Sequence, residues 1–389
     1  MAGNREGDGI NTRLAHIGND PHEYHGFVNP PVVHASTVLF PDAATMRSRN
    51  QRYTYGTRGT PTTEALAQAM DELEGSAGTV IVPSGLAAVC VPLFAFLSAG
   101  DHALIVDSVY YPTRNFADTM LKRLGVEIEY YDPLIGEGIS KLLKPNTKVV
   151  FTESPGSNTF EIQDIPAIAQ SAHAAGAVVM MDNTWATPLF FKPLDYGVDI
   201  SIHAATKYPA GHSDVLLGTV SANESCWKRL FDTFSTLGAC AGPDDVYQVL
   251  RGLRTMGVRL GHHQQSALEI ARWLEGQSGI AQVLHPALES HPGHALWKRD
   301  FSGSSGVFSF VLDSGEREAH AFLDALEIFG LGYSWGGFES LAVHVSLDDR
   351  TMEPSYSGPV IRLQIGLEDL KDLKADITRG LVAAGVQSA

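Results

Sequence analysis

The segment from Ala177 to Lys207 reads AVVMMDNTWATPLFFKPLDYGVDISIHAATK, with one apolar run that ends at Asp182 and a second that ends shortly before Lys207. A carboxylate at the carboxyl end of a buried strand is costly unless it meets a cation. Asp182 is therefore as consistent with an N-cap or a structural ion pair as with a catalytic group. Lys207 lies among small, almost uncharged residues, where desolvation would lower the pKa of its amine and suit it to form a Schiff base. Most lysines at a strand end simply reach solvent, so both interpretations stay open at this point.

Short apolar, β-branched runs alternate with helix-like segments on both sides of this segment. The predicted strands are 79–82, 103–106, 126–130, 147–152, 177–181, 198–202 and 215–220, and the predicted helices are 62–74, 113–124 and 165–175. Such alternation predicts a mostly parallel sheet with helices on both faces. Beyond it, a smaller α+β region is predicted. Its elements are a long helix at 243–276, strands at 306–312, 340–345 and 360–365, and helices at 317–329 and 368–383.

The first sixty residues differ from the rest of the chain in their proline content and in their lack of a regular hydrophobic pattern. They contain Pro21, Pro30, Pro31 and Pro41 and show no sustained period of 2 or 3.6. A segment this irregular is either mobile or docked on something else, such as a second subunit.

The charge balance excludes several classes of partner. The chain of 389 residues has Lys+Arg 28 against Asp+Glu 44, which gives a net charge of −16. An acidic protein repels phosphate backbones and anionic lipids, so neither nucleic acid nor a membrane surface is an expected partner. Three cysteines without a C-x-x-C spacing indicate reduced thiols and a cytoplasmic location.

Two features that could suggest other functions have simpler structural interpretations. The uncharged stretch from Gly75 to Gly100 contains Pro83 and Pro92, so it predicts a strand, a turn and a buried helix rather than a membrane span. His262 and His263 are neighbours in the predicted long helix and point about 100° apart. We expect solvated helix histidines there and, since the chain has no H-E-x-x-H motif, no metal site.

A third feature indicates that Asp182 and Lys207 could bind the same cofactor. Pro83-Ser84-Gly85-Leu86 combines a strand end, a glycine turn and a helix start, and the free N–H groups of such a helix N-terminus suit a phosphate. Pyridoxal phosphate needs a lysine to form an imine, an acid to keep its pyridine nitrogen protonated, and a cradle for its phosphate. The three features together therefore predict this cofactor, although each alone is weak.

The order of motifs resembles one family over nearly the whole chain. Tyr55-Gly-Thr-Arg58, Ser84-Gly85, Asp182-Asn-Thr-Trp185, Ala205-Thr206-Lys207-Tyr208 and a late Arg362 resemble the pyridoxal-phosphate enzymes of cysteine and methionine metabolism. The resemblance implies the aspartate-aminotransferase-like α/β fold (fold type I), with a mostly parallel central sheet and a smaller α+β C-terminal domain. It also implies three parts: an arm at 1–60 that contacts a neighbouring subunit, a cofactor-binding domain at 61–253, and a small domain at 254–389.

The resemblance also assigns roles to single residues. Lys207 would bind the cofactor covalently and move the proton from the substrate Cα, and Asp182 would pair with the pyridinium nitrogen. Tyr110 would stack on the cofactor ring, assist proton transfer and border the substrate. The remaining cofactor contacts would come from the Gly85 and Leu86 amides, the Thr206 hydroxyl and, from a neighbouring subunit, Tyr55 and Arg58. Arg362 would bind the substrate carboxylate, with Ser334 and Trp335 lining the same pocket.

The activity that the resemblance implies is β-elimination from L-cystathionine to homocysteine, pyruvate and ammonia, in a homotetramer built from two intimate dimers. A γ-lyase, a γ-synthase and a broader cysteine-S-conjugate β-lyase remain alternatives, whereas the intact site residues disfavour a non-catalytic scaffold. Two departures bear on phosphate binding: Thr57 stands where an arginine is usual, with the arginine at Arg58, and Ala204 stands where many relatives have serine. Pro112 replaces the cysteine of methionine γ-lyases, which counts against that activity.

Overall fold

A seven-stranded sheet forms the centre of the computed structural model, which describes residues 7–352 and 356–385. Its strands are β1 (Gly78–Val82), β2 (His102–Val106), β3 (Glu127–Tyr131), β4 (Thr147–Glu153), β5 (Val178–Asp182), β6 (Ile200–His203) and β7 (Gly218–Ala222). The spatial order is β1-β7-β6-β5-β4-β2-β3, and only β7 runs antiparallel to its neighbours. The prediction of a mostly parallel sheet is confirmed.

Helices cover this sheet and extend along its sides. They are α1 (Ile10–His16), α2 (Ala43–Ser48), α3 (Pro61–Glu74), α4 (Gly85–Phe96), α5 (Tyr111–Phe116), α6 (Ile165–Ala174), α7 (Thr187–Phe190), α8 (Glu224–Leu237) and α9 (Pro243–Glu275). The central strands are apolar on both faces because helices pack on both sides. Since parallel strands end at one edge, this arrangement brings the residues that follow β4, β5 and β6 together.

A second sheet of five strands follows α9. Its elements are β8 (Ile280–Leu284), α10 (His294–Asp300), β9 (Val307–Leu312), α11 (Glu316–Asp324), β10 (Gly330–Leu331), β11 (Leu341–Val345), β12 (Val360–Gln364) and α12 (Leu370–Ala383). The spatial order is β10-β11-β12-β9-β8, with one parallel pair, β10 and β11. Ile361 and Leu363 of β12 are buried in the core that α11 and α12 complete. Arg362 therefore projects from the opposite face, because side chains alternate along a strand.

The long helix α9 connects the two sheets. It contains 33 residues and therefore extends about 50 Å. Its first half, including Leu253 and Leu260, packs in a core with α1 and α3, whereas Ile270 and Leu274 pack in the core of the second sheet. The division between domains that we predicted after residue 253 falls inside this helix, and it stays a prediction.

Part of the N-terminal arm packs on its own chain. Leu14 and Ile17 are buried against α3 and α9. Arg254 of α9 donates hydrogen bonds to the carbonyl oxygens of Leu14 (3.1 Å) and Ile17, and to Asn19 Oδ1 (2.6 Å). The helix α1 was missed in the sequence because seven residues are too few to show a clear period.

Several predicted elements differ in extent, each for a local reason. The helix expected at 317–329 ends at Asp324, because the Asp376 carboxylate accepts the N–H groups of residues 327–329. The helix expected at 113–124 is α5 followed by a π-helical turn, Ala117–Leu121. The strand expected at 215–220 is Gly218–Ala222, since Leu217 bonds to Thr206 instead of to a neighbouring strand.

The structure shows the burial of the two neighbouring histidines and the secondary structure of the uncharged stretch 75–100. His262 is exposed as expected, but the expectation was wrong for His263, which is buried and shares a 2.7 Å hydrogen bond with the Ile365 carbonyl oxygen. The stretch 75–100 forms β1, a turn and α4, as predicted. Within the described residues, no helix combines the length and apolar character needed to cross a membrane. Cys90, Cys226 and Cys240 are free thiols.

Candidate active site

Lys207 lies four residues beyond the end of β6, where that strand leaves the central sheet. Its Nζ donates a short hydrogen bond to Ser334 Oγ and lies 5.2 Å from the centroid of the Trp335 ring. Burial lowers the pKa of Lys207 to about 8, and the positive charge of Arg362 contributes to the lowering, whereas Asp182 opposes it. A much larger fraction of this amine is therefore neutral at pH 7 than of an ordinary lysine.

Asp182 is the last residue of β5, the strand beside β6. Its Oδ1 accepts hydrogen bonds from the Thr184 backbone N–H (3.0 Å) and hydroxyl (2.5 Å). The same hydroxyl accepts a bond from the Ala204 N–H at 2.9 Å, so it links Asp182 to the segment that carries Lys207. Burial raises the pKa of Asp182, and the bonds from Thr184 counteract this effect. A cation beside this carboxylate would favour its charged form.

The N-terminus of α4 lies against the segment that leads to Lys207. Ser84 caps the helix by accepting the Ala87 N–H at 3.1 Å, and helix geometry leaves the Gly85 and Leu86 N–H groups without an intrahelical partner. A Cβ on Gly85 would lie 2.6 Å from the Cβ of Ala204, so glycine permits this close approach. Two free N–H groups beside the lysine segment form a suitable anion site.

The Thr206 hydroxyl is engaged elsewhere in this structure. It donates to the Leu217 carbonyl oxygen (3.2 Å) and accepts from the Leu217 N–H (3.0 Å). To donate to a phosphate, as the sequence resemblance implies, the hydroxyl would have to leave the carbonyl oxygen.

Tyr110 immediately precedes α5 and is 46% exposed. Its backbone N–H donates to Glu153 Oε2 at 2.8 Å, which fixes the residue over the carboxyl ends of β4 and β5. Burial and the nearby charge of Asp182 raise the pKa of the Tyr110 phenol, with Glu153 contributing in the same direction. The phenol is therefore protonated at neutral pH.

Arg362 extends from β12 toward the residues around Lys207. Its Nη1 donates to Asn158 Oδ1 and its Nη2 donates to the Ser334 carbonyl oxygen, both at 3.1 Å. Burial lowers the pKa of Arg362 to about 10, yet the guanidinium is still charged at neutral pH. A desolvated guanidinium held at two nitrogens suits the binding of a carboxylate.

The structure therefore brings Lys207, Asp182, Tyr110, Arg362, Ser334 and Trp335 to one edge of the central sheet, with Gly85 and Leu86 beside the lysine segment. Tyr55 and Arg58 lie on an exposed part of the arm, and none of the contacts described above joins them to this group. The neighbouring arm residues Arg52 and Tyr53 bond to Glu64 of α3 in the same chain. A role for Tyr55 and Arg58 in a neighbouring subunit stays a prediction.

Three further residues of the site received no role from the sequence. Glu153 ends β4 directly opposite Asp182, Asn158 contacts Arg362, and Thr184 bonds to Asp182. Glu153 carried a signal that could have been used, because it ends an apolar run of a parallel sheet as Asp182 does. Burial and the charge of Asp182 raise the pKa of Glu153 well above its usual range. Asn158 carried no such signal, since its partner lies 204 residues away.

These residues fit pyridoxal phosphate by their own chemistry. The amine has a lowered pKa, the hydrogen bonds described above to the nearby carboxylate both come from the uncharged Thr184, and helix geometry leaves two N–H groups free. An amine, an acid and an anion cradle are the groups that hold the aldehyde, ring nitrogen and phosphate of this cofactor.

Comparisons with known proteins agree with this interpretation. The family model "Cys/Met metabolism PLP-dependent enzyme" matches residues 11–382. A "Putative cystathionine beta-lyase" of Rhizobium johnstonii is 69% identical over 97% of this chain and 96% of its own length. The "Cystathionine beta-lyase MetC" of Escherichia coli is 44% identical over 95% of this chain and 98% of its own length. The solved cystathionine gamma synthase of Xanthomonas oryzae pv. oryzae in complex with cystathionine has a TM-score of 0.91 and 34% identity, covering 97% of this chain and 98% of that one. The chain therefore belongs to the PLP-dependent enzymes of Cys/Met metabolism, as its motifs predicted.

Proposed function

We propose that this protein cleaves L-cystathionine by β-elimination, so that cystathionine and water give homocysteine, pyruvate and ammonia. Family membership makes pyridoxal phosphate its cofactor. The observation that carries the proposal is the convergence of an amine with a pKa of about 8, a buried acid and a doubly held guanidinium at one sheet edge. The names of the Rhizobium and Escherichia relatives support the choice of substrate and of β-elimination.

Individual residues of the chain would bind the substrate and transfer protons during the reaction. Arg362 would bind the substrate α-carboxylate through two parallel hydrogen bonds and limit rotation of the substrate. The neutral form of the Lys207 amine would accept the proton from the substrate Cα. The bound cofactor supplies an electron sink for the charge that develops on that carbon. Tyr110, whose raised pKa keeps its phenol protonated, would donate a proton to the departing sulfur.

The cofactor contacts that we propose follow the same positions. Asp182 would face the pyridine nitrogen, and the Gly85 and Leu86 N–H groups would hold the phosphate. We expect a homotetramer in which Tyr55 and Arg58 of a neighbouring subunit complete the phosphate site, and a cytoplasmic location consistent with three free thiols.

A product assay with purified protein and L-cystathionine tests the proposed activity. Homocysteine and pyruvate should form together, whereas cysteine and 2-oxobutyrate would indicate γ-elimination instead. The second candidate function is γ-replacement, because a solved cystathionine gamma synthase matches this chain with a TM-score of 0.91. This reaction should be assayed in parallel. Lys207→Ala should abolish either reaction, and absence of product from a cofactor-loaded protein would rule out cystathionine as the substrate.

Subunit complementation tests the shared site. Lys207→Ala and Arg58→Ala proteins should each be impaired, and their random mixing should restore about a quarter of wild-type activity, because half of the dimers are mixed and each has one intact site. Activity that stays at the level of the separate variants after subunit exchange would contradict a contribution of Arg58 from a neighbouring subunit.

A further inference from the structure

Asn158 contacts the carboxylate-binding arginine, yet the cofactor chemistry gives it no role. It lies in the loop between β4 and α6 and has a left-handed backbone with φ +67°. Its Oδ1 accepts a hydrogen bond from Arg362 Nη1 at 3.1 Å, and its carbonyl oxygen accepts one from Ser309 Oγ at 2.7 Å. The side chain of Asn158 therefore sets the direction in which one edge of the guanidinium points.

The two residues that flank Asn158 are both held by Arg350. Nη2 of Arg350 donates to the Ser157 carbonyl oxygen at 2.7 Å and to Thr159 Oγ1 at 2.5 Å. Nη1 donates to Glu161 Oε1 at 3.0 Å, and the other Glu161 oxygen accepts the Thr159 hydroxyl at 2.7 Å. The Arg350 side chain is only 6% exposed, so these bonds are largely shielded from water.

The loop is held on one side and open on the other. The Ser157 N–H donates to the Ser108 carbonyl oxygen at 2.7 Å and Thr159 and Phe160 are buried, whereas Ser157 and Asn158 border a cavity of about 420 Å³. The segment that carries Arg350 is itself anchored, because the buried Asp107 carboxylate accepts the N–H groups of residues 351 and 352 at 3.0 and 2.9 Å. Hydrogen bonds from an anchored arginine thus add to the order of the segment on both sides of Asn158, beside the cavity.

We propose that Arg350 is a positioning residue for carboxylate recognition. It fixes the segment 157–159 so that Asn158 holds the Arg362 guanidinium in the orientation that two parallel bonds to a carboxylate require. Bidentate recognition depends on the orientation of the planar guanidinium. Movement of the loop therefore weakens carboxylate binding by an arginine more than it would weaken carboxylate binding by a point charge such as an ammonium group. This inference rests on the proposed role of Arg362 in binding the substrate carboxylate.

The test compares alanine with alaninamide as competitive inhibitors of L-cystathionine cleavage by the holoenzyme. The change in the ratio of their inhibition constants between wild type and a variant reports carboxylate recognition, because any difference between the two amines is the same in both proteins. Asn158→Gly removes the amide but tolerates the left-handed backbone. Arg350→Gln combined with Glu161→Gln removes the arginine without leaving its acid partner unpaired. Arg350→Lys keeps the charge opposite Glu161 and serves as the second, milder variant.

We expect the alaninamide-to-alanine ratio to fall about tenfold in Asn158→Gly and in the double variant, and less in Arg350→Lys. The KM for L-cystathionine should rise by a similar factor, while kcat, the cofactor absorbance spectrum and the melting temperature stay near wild type. Arg379→Gln is the matched control, since Arg379 is likewise an arginine bonded to carboxylates (Glu327 and Asp376) but lies on α12. Its ratio should not change.

Two negative results have different meanings. If folded Asn158→Gly and Arg350→Lys proteins keep the wild-type ratio, the positioning role of Arg350 is overturned while the role of Arg362 stands. If the wild-type protein itself does not prefer alanine over alaninamide, the proposed role of Arg362 is wrong, and the inference built on it is overturned as well.

Discussion

The amine of Lys207 should react with an aldehyde at a pH where most lysines are inert. Burial, aided by Arg362, lowers its pKa from 10.5 to about 8. At pH 7 about one tenth of such an amine is neutral, compared with about 0.03% of an amine with an unshifted pKa, which is a ratio of about 300. Only the neutral amine attacks a carbonyl. The second-order rate of cofactor capture by the apoprotein should therefore rise with pH, with a midpoint near 8.

The two charged neighbours of Lys207 predict opposite shifts of this midpoint. Arg362→Gln removes a positive charge that disfavours the ammonium form, so the pKa of Lys207 and the midpoint should rise. Asp182→Asn removes a negative charge that favours the ammonium form, so both should fall. Both substitutions introduce an uncharged residue. Midpoint shifts in opposite directions would therefore separate the effect of charge from that of a general disturbance of the site.

Stopped-flow absorbance of pyridoxal phosphate mixed with apoprotein between pH 6 and 10 measures the midpoint, the range being about two units on either side of the lowered pKa. Nα-acetyllysine under the same conditions corrects for titration of the cofactor itself. Lys228→Ala, at a lysine whose side chain is 88% exposed, is the control and should leave the profile unchanged. A rate that still rises about tenfold per pH unit up to pH 10, as for an amine of unshifted pKa, or shifts of both site variants in the same direction, would refute the electrostatic reasoning.

Three further predictions follow from the same geometry. Arg362→Ala should lower kcat/KM on L-cystathionine by about 10²- to 10⁴-fold, since breaking a buried charged pair costs about 3–5 kcal/mol; an unchanged kcat/KM would remove Arg362 from the site. Lys207→Ala should retain cofactor that is released by dialysis but should show no turnover, and a covalent adduct trapped with borohydride in this variant would mean that another lysine binds the cofactor. Burial lowers the folded-state pKa of His263 and His291 to about 4 and of His285 to about 3, so these groups add stability above pH 6.5. That stability should be lost as the pH falls from 6.5 toward 4, by up to about 1.4 kcal/mol per pH unit for each histidine. Urea unfolding at several pH values measures the slope between pH 6.5 and 4, and a slope that His285→Gln leaves unchanged, rather than reduced, would contradict the prediction.

The sequence was most informative where a signal is local. Strand and helix periods predicted the central sheet because backbone hydrogen bonding repeats over a few residues. Asp182 and Lys207 could be singled out because each follows an apolar run, and strands of a parallel sheet end at the same edge. The end of α11 was misjudged, since the Asp376 carboxylate that terminates it lies about fifty residues away in the chain. The burial of His263 was missed for the same reason, because its partner Ile365 lies 102 residues further along the chain, just after β12.

By itself, then, the sequence determined the fold class and the family, and it singled out Lys207 and Asp182 as the candidates for the reactive amine and acid. Only the tertiary structure decided which residues hold these groups: Ser334 on Lys207, Thr184 between Asp182 and Ala204, and Asn158 on Arg362. It also showed that the Thr206 hydroxyl is bonded to Leu217 and that α1 packs on its own chain. The physical reason is one of range. A local pattern fixes the backbone within one element, whereas the pKa and direction of a side chain depend on charges and hydrogen-bond partners that packing brings from distant elements.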